Sequence, residues 1–349
     1  MNRRLSRPPT LVDPAAALNE LDSLPTSGRP VGFIYRRLQE LKLGDGLPVG
    51  LPSPALIDEM LGRAGVDPDH VILQMPPLRG PLTARRLAVC AALAGCEASH
   101  LRVLIPALSS FTRPELNAYG FLTTTGNAAP LLLINGPARL ELDFNHGANC
   151  LGPGNRSNAT VGRCVSLVMR IVGGAREGIA DMATMGQPAK YTFCFGENEE
   201  ASPWQPFSTD RGFARSQSAV TVMSIAGTIE TFGADSGLAK EMLAVLASTL
   251  ATSAPVMAAG EHRIGGGQPI VVMSPEWAVQ LAKAGMTKLE VQRQLFHLAT
   301  RDMPDSTLQV AAVPEDILIV IAGGAGIKQT VIPNWNGGAR AVTAAIAPE

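Results

Sequence analysis

The chain is poor in charged residues and carries almost no net charge. Of its 349 residues, 17% are Asp, Glu, Lys or Arg, and the formal net charge is −1. Without excess positive charge there is no electrostatic reason to bind nucleic acid or an anionic membrane, and we expect neither as a partner. No apolar run approaches the roughly 18 residues that a membrane span needs. The basic start is not followed by the apolar segment of a secretory signal, so we expect a cytoplasmic protein.

Cysteine and histidine are also few. Five of each are scattered along the chain, without a C-x-x-C, H-x-x-x-H or H-E-x-x-H pair. An odd, scattered set of cysteines argues against a disulfide framework. The missing histidine pairs leave no local zinc signature, and we expect neither a metal nor a cofactor. A metal held by residues distant in sequence would leave no such signature.

Apolar residues, glycine and proline are plentiful. Apolar residues make up 46% of the chain, which also contains 35 glycines and 27 prolines. This composition is typical of a compact α/β protein with many tight turns, not of a disordered chain. At this length the chain can bury a large core, and we expect two lobes. Residues 1–28 are interpreted as a loose N-terminal arm, whose apolar patch at residues 15–24 we expect to dock on a neighbour.

A small βαβ segment is predicted at residues 29–81. Apolar runs at residues 31–35 and 71–75 are typical of strands, and a helix pattern at residues 54–64 lies between them. A strand, a helix and a second strand at this spacing predict two parallel strands joined by a crossover helix.

The rest of the chain alternates between helix and strand patterns. Alternating or short continuous apolar runs predict strands at residues 130–134, 190–195, 219–225, 269–273 and 316–322. Helical spacing with capping and stop residues predicts helices at residues 83–94, 101–111, 157–172, 238–250, 275–284 and 287–299.

The order of these elements repeats. Residues 130–137 resemble residues 269–275, and each stretch follows a helix and precedes a short helix, a longer helix and an apolar strand ending in glycine. We interpret residues 82–215 and 216–349 as two similar α/β halves from an internal duplication, although α/β chains also repeat this order without one. Ligands of open α/β sheets bind beyond the carboxyl ends of strands. We therefore expect the site between the strand-end loops.

A long loop rich in glycine and asparagine, at residues 145–163, leads into a helix. Free N–H groups at a helix start attract anions, and Arg156 and Arg163 add positive charge. One interpretation is a pocket for a small carboxylate or phosphate-bearing ligand, and the other is a capped helix behind a glycine-rich turn. The candidate ligand contacts here are Asn135, Asn145, Asn149, Asn155, Arg156, Asn158 and Arg163.

Three glutamates follow the predicted strand at residues 190–195. Clustered carboxylates raise one another's pKa, which makes Glu197 and Glu199 candidates for a general acid or base, with Glu200 beside them. The alternative is a solvated acidic turn. Lys190, at the start of the strand, is a candidate for holding an anionic substrate or simply a surface lysine.

Three further positions are candidates. His146 can transfer protons near neutral pH, or it is a hydrogen-bonded loop histidine. Cys150 lies just before a helix start, where the field would favour a thiolate nucleophile. Gly323 and Gly324 allow close approach of the backbone to a ligand, although a lone glycine cluster is weak evidence for a nucleotide.

Four motifs carry a family resemblance. They are PGNRSNATVGR at residues 153–163, GQPAKYTFC at 186–194, ENEEASPW at 197–204 and IAGG at 321–324. Together they resemble a poorly characterised bacterial family related to selenoproteins named for a Sec-Gly-Ser-Cys signature. The resemblance runs from about residue 82 to residue 326 and implies an α/β fold without a reaction. The chain departs from that signature, because Pro-Pro-Leu-Arg-Gly follows residue 75 where the thiol-bearing motif is expected.

These patterns predict an enzyme that acts on a small polar, anionic molecule by general acid–base chemistry, as a lyase or hydrolase. Loop 145–163 would position the substrate, and Glu197 or Glu199 with His146 would move protons. One alternative is covalent or redox thiol chemistry at Cys150. Another is a non-catalytic small-molecule-binding protein. We also expect a homo-oligomer.

Overall fold

A computed structural model describes residues 13–232, 238–253, 267–303, 306–308, 310–335 and 337–348. The helices are α1 (Pro14–Ser23), α2 (Val31–Glu40), α3 (Pro54–Ala64), α4 (Ala84–Ala94), α5 (Leu101–Ser109), α6 (Ala118–Thr123), α7 (Ala138–Glu141), α8 (Arg156–Ile171), α9 (Ala239–Ser253), α10 (Pro275–Lys283) and α11 (Lys288–Ala299). The strands are β1 (Val71–Met75), β2 (Gly80–Thr83), β3 (Ala129–Asn135), β4 (Cys194–Gly196), β5 (Ala219–Ile225), β6 (Ile229–Phe232), β7 (Ile270–Met273), β8 (Arg301–Met303), β9 (Ser306–Leu308), β10 (Leu318–Ile321), β11 (Lys328–Ile332) and β12 (Val342–Ala345).

Helices and mixed sheets make this an α/β protein, as predicted. One four-stranded sheet has the order β12-β5-β3-β4, and the other has the order β10-β7-β11-β6. In the first, β3 runs parallel to β4 and antiparallel to β5. In the second, β7 runs parallel to β10 and antiparallel to β11. The outer pairs, β5 with β12 and β11 with β6, are antiparallel.

The two sheets pack face to face, with helices on both outer faces. Alternation along β3 turns Leu131 and Leu133 into a core shared with residues of β7 and β10. The intervening Leu132 and Ile134 face the helices of the first sheet. Helices α9, α10 and α11 cover the other sheet through a separate core. The layers are therefore helix, sheet, sheet and helix, and the shared core joins what the sequence suggested were two lobes.

The strand predicted at residues 31–35 and the βαβ unit predicted at residues 29–81 are wrong, although the helix at residues 54–64 and the strand at residues 71–75 are confirmed. The first of these segments begins α2, because Ile34 and Leu38, four residues apart, form one buried stripe. A five-residue apolar window cannot separate this pattern from a strand. No βαβ unit forms from the second segment, since β1 turns back to pair antiparallel with β2.

The loose-arm interpretation is also wrong over its described part. Helix α1 begins at Pro14 with Asp13 as its cap. Ala17, Leu21 and Leu24 are buried in the core beside α4, so the apolar patch docks on its own chain. Residues 1–12 lie outside the described residues.

The other predicted helices and strands are confirmed except at one strand, whereas α6, β2, β6, β8, β9, β11 and β12 were not predicted. The strand predicted at residues 190–195 is confirmed only at its end, because residues 188–190 form a 3-10 turn and β4 begins at Cys194. Strands β5 and β12 join the first sheet although both lie beyond residue 215. The expected boundary at that residue therefore does not separate the two sheets.

Candidate functional site

Loops from both sheets meet at the carboxyl ends of the parallel strands. The backbone N–H of Asn198, after β4, donates to the Ile321 carbonyl at the end of β10, at 2.7 Å. The N–H of Gly323 donates to the His146 carbonyl at 3.0 Å, and that of Gly196 donates to the Asn145 carbonyl at 3.1 Å. The last residue of β4 and the segment after β10 thus contact the glycine-rich loop directly.

A carboxylate cluster lies beneath this junction and consists of Asn135, Arg139, Glu197, Glu199 and Glu200. The Asn135 side-chain amide, at the end of β3, donates to Glu197 Oε2 at 2.5 Å and to Glu199 Oε1 at 3.0 Å. Asn135 and Glu197 are fully buried, and Glu199 is nearly so. Asn135, predicted as a ligand contact, therefore contacts both candidate glutamates directly, and the acidic turn is not solvated at Glu197 or Glu199.

Glu197 has a strongly altered acidity. Burial raises the pKa of Glu197 to about 7, against the lowering effects of Lys288, the Phe207 N–H and Asn135, while Glu199 adds a small further increase. Its Oε2 atom accepts from the Phe207 N–H at 2.7 Å. Its Oε1 atom and the Asn135 Oδ1 atom are both buried acceptors without a hydrogen-bond partner among the described residues. A proton on Glu197 would supply a donor in this region, which favours the neutral acid.

The other two glutamates of the cluster are held differently. Glu199 Oε1 accepts from the Gly136 N–H at 2.7 Å and lies 3.8 Å from the Arg139 guanidinium. Arg139 is 2% exposed and forms two hydrogen bonds with Glu200, at 2.9 and 2.6 Å. Those bonds lower the pKa of Glu200. The expectation that the three carboxylates raise one another's pKa is therefore corrected, because burial dominates at Glu197 and an arginine dominates at Glu200.

His146 and Cys150 lie on the loop that covers the cluster. His146 is half-buried, and its Nδ1 atom is 3.0 Å from the Phe144 carbonyl oxygen. Its charge contributes to the lowered pKa of Glu200. Cys150 is 4% exposed, and burial raises the pKa of its thiol to about 11. This direction is opposite to the one expected from its place before a helix start, since desolvation outweighs the nearby backbone N–H groups.

Cys96 is also buried, but the pKa of its thiol is lowered. Burial alone would raise the pKa of this thiol. Hydrogen bonds involving Cys164 and His100 outweigh burial and lower the pKa to about 6. Its Sγ atom lies 3.3 Å from the Thr160 carbonyl oxygen. This thiol lies within the helical core and away from the carboxylate cluster.

The loop asparagines mainly hold the loop itself. Asn158 donates to the carbonyls of Asn145 and Cys150, and its N–H donates to the Asn155 side chain, which caps α8. Asn145 bonds the backbone of residues 147 and 148. Asn149 adopts a left-handed conformation with φ 58° and donates to the Pro153 carbonyl. These contacts match the capped-turn interpretation of the loop.

The predicted cations point away from the cluster. Arg156 is exposed and bonds Glu97 at 2.8 Å and the Gly95 carbonyl at 3.0 Å. Arg163 forms a two-bond ion pair with Asp45, at 2.7 and 3.0 Å. The contacts of these arginines are therefore with the N-terminal part of the chain.

Lys190 and the two glycines complete the predicted set. Lys190 bonds Asp181 at 2.6 Å, away from the glutamates. Gly323 adopts φ +102° beside His146. An added Cβ on Gly324 would lie 2.8 Å from the Ala148 Cβ, so its close approach is to the loop backbone.

Sequence reasoning missed Arg139, Phe207 and Lys288. Arg139 lies in the short helix after β3, Phe207 beyond the acidic motif, and Lys288 in the first turn of α11. No local spacing relates them, since each joins the cluster only through the tertiary fold. The only hint in the sequence was a glutamate directly after an apolar strand, because a carboxylate buried there needs polar or charged partners.

Comparisons with protein-family models, with curated proteins and with solved structures find no match. The resemblance to the Sec-Gly-Ser-Cys-related family stays a prediction. Every helix among the described residues is too short or too polar to cross a membrane. In the same part of the chain, no three or more His, Cys, Asp and Glu side chains are placed to hold a metal ion.

Proposed function

We propose that the protein is an enzyme that acts on a small polar, anionic molecule by general acid–base chemistry, as a lyase or hydrolase. The observation that carries this proposal is Glu197, a fully buried carboxyl whose pKa is raised to about 7. A group with this pKa is divided between acid and base at neutral pH, which is the condition for efficient proton transfer in both directions.

The partners of Glu197 fit that role. Asn135 and the Phe207 N–H hold Oε2, which leaves Oε1 as the atom that exchanges a proton with substrate. Arg139 lies close to Glu199 and bonds Glu200, so it offsets the negative charge next to Glu197. Proton transfer to or from a bound substrate by a positioned carboxyl typically contributes about 10²–10⁴-fold to a rate.

Substrate access requires a loop to move, because Glu197 is buried. We assign this movement to residues 145–149. Ala148 and Asn149 are exposed, while the carbonyls of Asn145 and His146 contact the strand ends at Gly196 and Gly323. Opening of this segment would uncover the cluster and bring His146 beside the substrate.

Arg215 replaces Arg156 and Arg163 as the candidate for the negative group of the substrate. It is exposed, and its Nη2 atom is 3.5 Å from the Glu199 carbonyl oxygen. A guanidinium at this place can reach both solvent and the edge of the cluster.

The thiol alternative receives less support. A thiol nucleophile needs a lowered pKa or an adjacent base. Cys150 instead has a raised pKa, and its thiol interacts with the backbone groups of residues 150, 151 and 323.

The test of acid–base catalysis is a turnover screen followed by substitution. Small carboxylates, hydroxy acids and amides are incubated with the protein and followed by NMR. Glu197→Gln should reduce any turnover by at least about a hundredfold, while Glu276→Gln, an exposed glutamate of α10, should leave it unchanged. Full turnover by Glu197→Gln across the pH range would refute the assignment.

We also infer that the two sheets descend from a duplication. In the strand orders β4-β3-β5-β12 and β10-β7-β11-β6, the first pair of each sheet is parallel and the next two pairs are antiparallel. Superposing β3, β4 and β5 on β7, β10 and β11 tests this inference, because duplication requires α8 and α11 to fall in equivalent places. The homo-oligomer and the cytoplasmic location stay predictions.

A further inference from the structure

A cavity of about 710 Å³ lies apart from the carboxylate cluster. It is bounded by the end of α2, by α6, by the second half of α8 and by the connection from α8 to β4. Its volume is within the roughly 300–1,000 Å³ typical of small-molecule sites. No member of the carboxylate cluster lines it.

Three residues that line the cavity each carry a hydrogen-bonding group without a partner among the described residues. These groups are the Ser166 hydroxyl, the Gln39 side-chain NH₂ and the Arg170 Nε–H, and each of these atoms is buried. Ser166 as a residue is only 8% exposed. Buried polar groups without partners are uncommon and costly, so three on residues that line one cavity indicate a place where a ligand supplies the missing partners.

Helix geometry brings two of these groups together. Ser166, Met169 and Arg170 are three and four residues apart on α8, which places them on one face of the helix. Gln39 comes from α2. All three unpartnered groups can donate a hydrogen bond, and the Gln39 and Arg170 groups can only donate. The matching ligand group is therefore an acceptor, such as a carboxylate.

The charges around the cavity are already paired. Arg170 bonds Glu177, with its Nη2 atom at 3.0 Å, and Lys190 bonds Asp181 at 2.6 Å. Asp45, also on the wall, is paired with Arg163. Three negative and three positive side chains balance, so a ligand of high charge would be opposed. The rest of the wall includes apolar side chains, among them Phe121, Leu122, Met169 and Met185.

From these features we propose a second binding site, for a small monocarboxylate with an apolar chain or ring. The carboxylate accepts hydrogen bonds from Ser166, Gln39 and Arg170, and the apolar part contacts the phenylalanine, leucine and methionine side chains. The site does not depend on the acid–base proposal, because it shares no residue with the carboxylate cluster. Ser166 lies on the same helix, α8, as Asn158, which anchors the glycine-rich loop. The two residues are about 12 Å apart along the helix axis.

The proposal is tested with probes that differ only in the polar end. Hexanoate and 3-phenylpropanoate are titrated into the full-length protein by calorimetry and ligand-observed NMR, beside hexylamine and 3-phenylpropylamine. The acids should bind, and each amine should bind at least about tenfold more weakly, because an ammonium cannot accept hydrogen bonds.

Substitutions locate the binding. Ser166→Ala and Gln39→Leu each remove one donor, and each should weaken binding of the acids by about fivefold or more. Ser166→Leu fills the cavity and should abolish binding. Ser23→Ala is the matched control, since among the described residues that hydroxyl bonds only the Glu20 carbonyl of its own helix. Thermal unfolding of each variant, measured first, establishes that it is folded.

Several results would overturn the proposal. These are absence of binding of both acids to the wild-type protein at millimolar concentration, equal binding of acids and amines, or unchanged binding by both Ser166→Leu and Gln39→Leu. Glu197→Gln should bind the acids as the wild type does. Loss of binding in that variant would place the acids at the carboxylate cluster and refute the second site, whereas failure of acid–base catalysis alone would leave it intact.

Discussion

At the scale of single residues, Glu197 illustrates what the sequence could predict about the site. Its position after an apolar strand marked it as the glutamate nearest the sheet, and the structure places it in the cluster. The cause of its raised pKa was not visible in the sequence. Crowding among neighbouring glutamates suggested mutual repulsion, whereas complete burial is the main cause. Burial depends on how the second sheet and residues 205–207 pack, which local spacing does not encode.

The raised pKa of Glu197 predicts a pH-dependent stability. An unfolded glutamate has a pKa near 4.3, while the folded group has a pKa of about 7. Between these values the folded chain binds more protons than the unfolded chain, so stability falls as pH rises. The full difference is about 4 kcal/mol. It is present below the unfolded pKa and lost above the folded pKa.

Chemical unfolding from pH 4 to pH 8 measures this effect in the wild type and in Glu197→Gln. The stability of the wild type relative to the variant should decrease as pH rises through this range. Glu276→Gln, at an exposed position, is the control for the loss of a carboxylate. A wild-type-minus-variant difference that stays constant with pH would contradict the shifted pKa.

The raised pKa of Cys150 predicts low thiol reactivity. At pH 7.5 a thiol with a pKa of about 11 is almost entirely protonated, and burial adds a steric barrier. Alkylation of Cys150 in the native protein should be at least about a hundredfold slower than in the chain unfolded by urea. Mass spectrometry after iodoacetamide treatment measures both rates. Faster labelling in the native protein would instead support the thiol alternative.

At the scale of elements, strongly periodic helices were predictable and short apolar segments were not. The core face of α8 follows from its spacing, and Gly173 ends it one turn after Val168. The strand prediction at residues 31–35 failed because this short run of apolar, aromatic and glycine residues shows no helical periodicity. The buried stripe at Ile34 and Leu38 becomes visible only when the sequence is compared with a helical pattern beyond residue 35.

Close packing of α8 on the segment before β4 predicts a contrast between two helix glycines. An added Cβ at Gly162 would lie 2.5 Å from Thr192 Oγ1 and 2.7 Å from the Phe193 nitrogen. Gly162→Ala should therefore destabilise the fold by about 1–3 kcal/mol, as overpacking does. Gly62, exposed on α3, has no atom within 4 Å of an added Cβ. Gly62→Ala should stabilise by about 0.5–1 kcal/mol.

Urea unfolding of both variants measures the contrast. Opposite signs are expected, because both substitutions favour helix formation but only Gly162→Ala creates a clash. Equal stabilisation in the two variants would mean that α8 can move away from Thr192 without cost.

At the scale of the whole molecule, strand order was beyond the sequence patterns. Repeated element order led to two halves divided near residue 215, yet β12 returns to the first sheet from the end of the chain. Pairings between strands more than a hundred residues apart depend on tertiary packing, and the pattern of one strand does not identify its partner. Face-to-face packing of the sheets was likewise hidden, since a strand buried on both faces looks the same whether a helix or a sheet covers it.

The return of β12 predicts that the last residues of the described chain stabilise the first sheet. Beside the β5–β12 ladder, Thr343 bonds Thr221 at 2.9 Å, and the Ile346 N–H donates to the Ser218 carbonyl. Ile346 is 4% exposed, and burying such a side chain contributes about 1.5–3 kcal/mol. Removing residues 341–349 should lower stability by more than this amount and expose the β5 edge, which promotes association between chains. Removing only residues 348–349 is the matched control and should change neither property. Urea unfolding and size-exclusion chromatography measure the two effects, and unaltered stability after the longer deletion would show that β12 is dispensable to the first sheet.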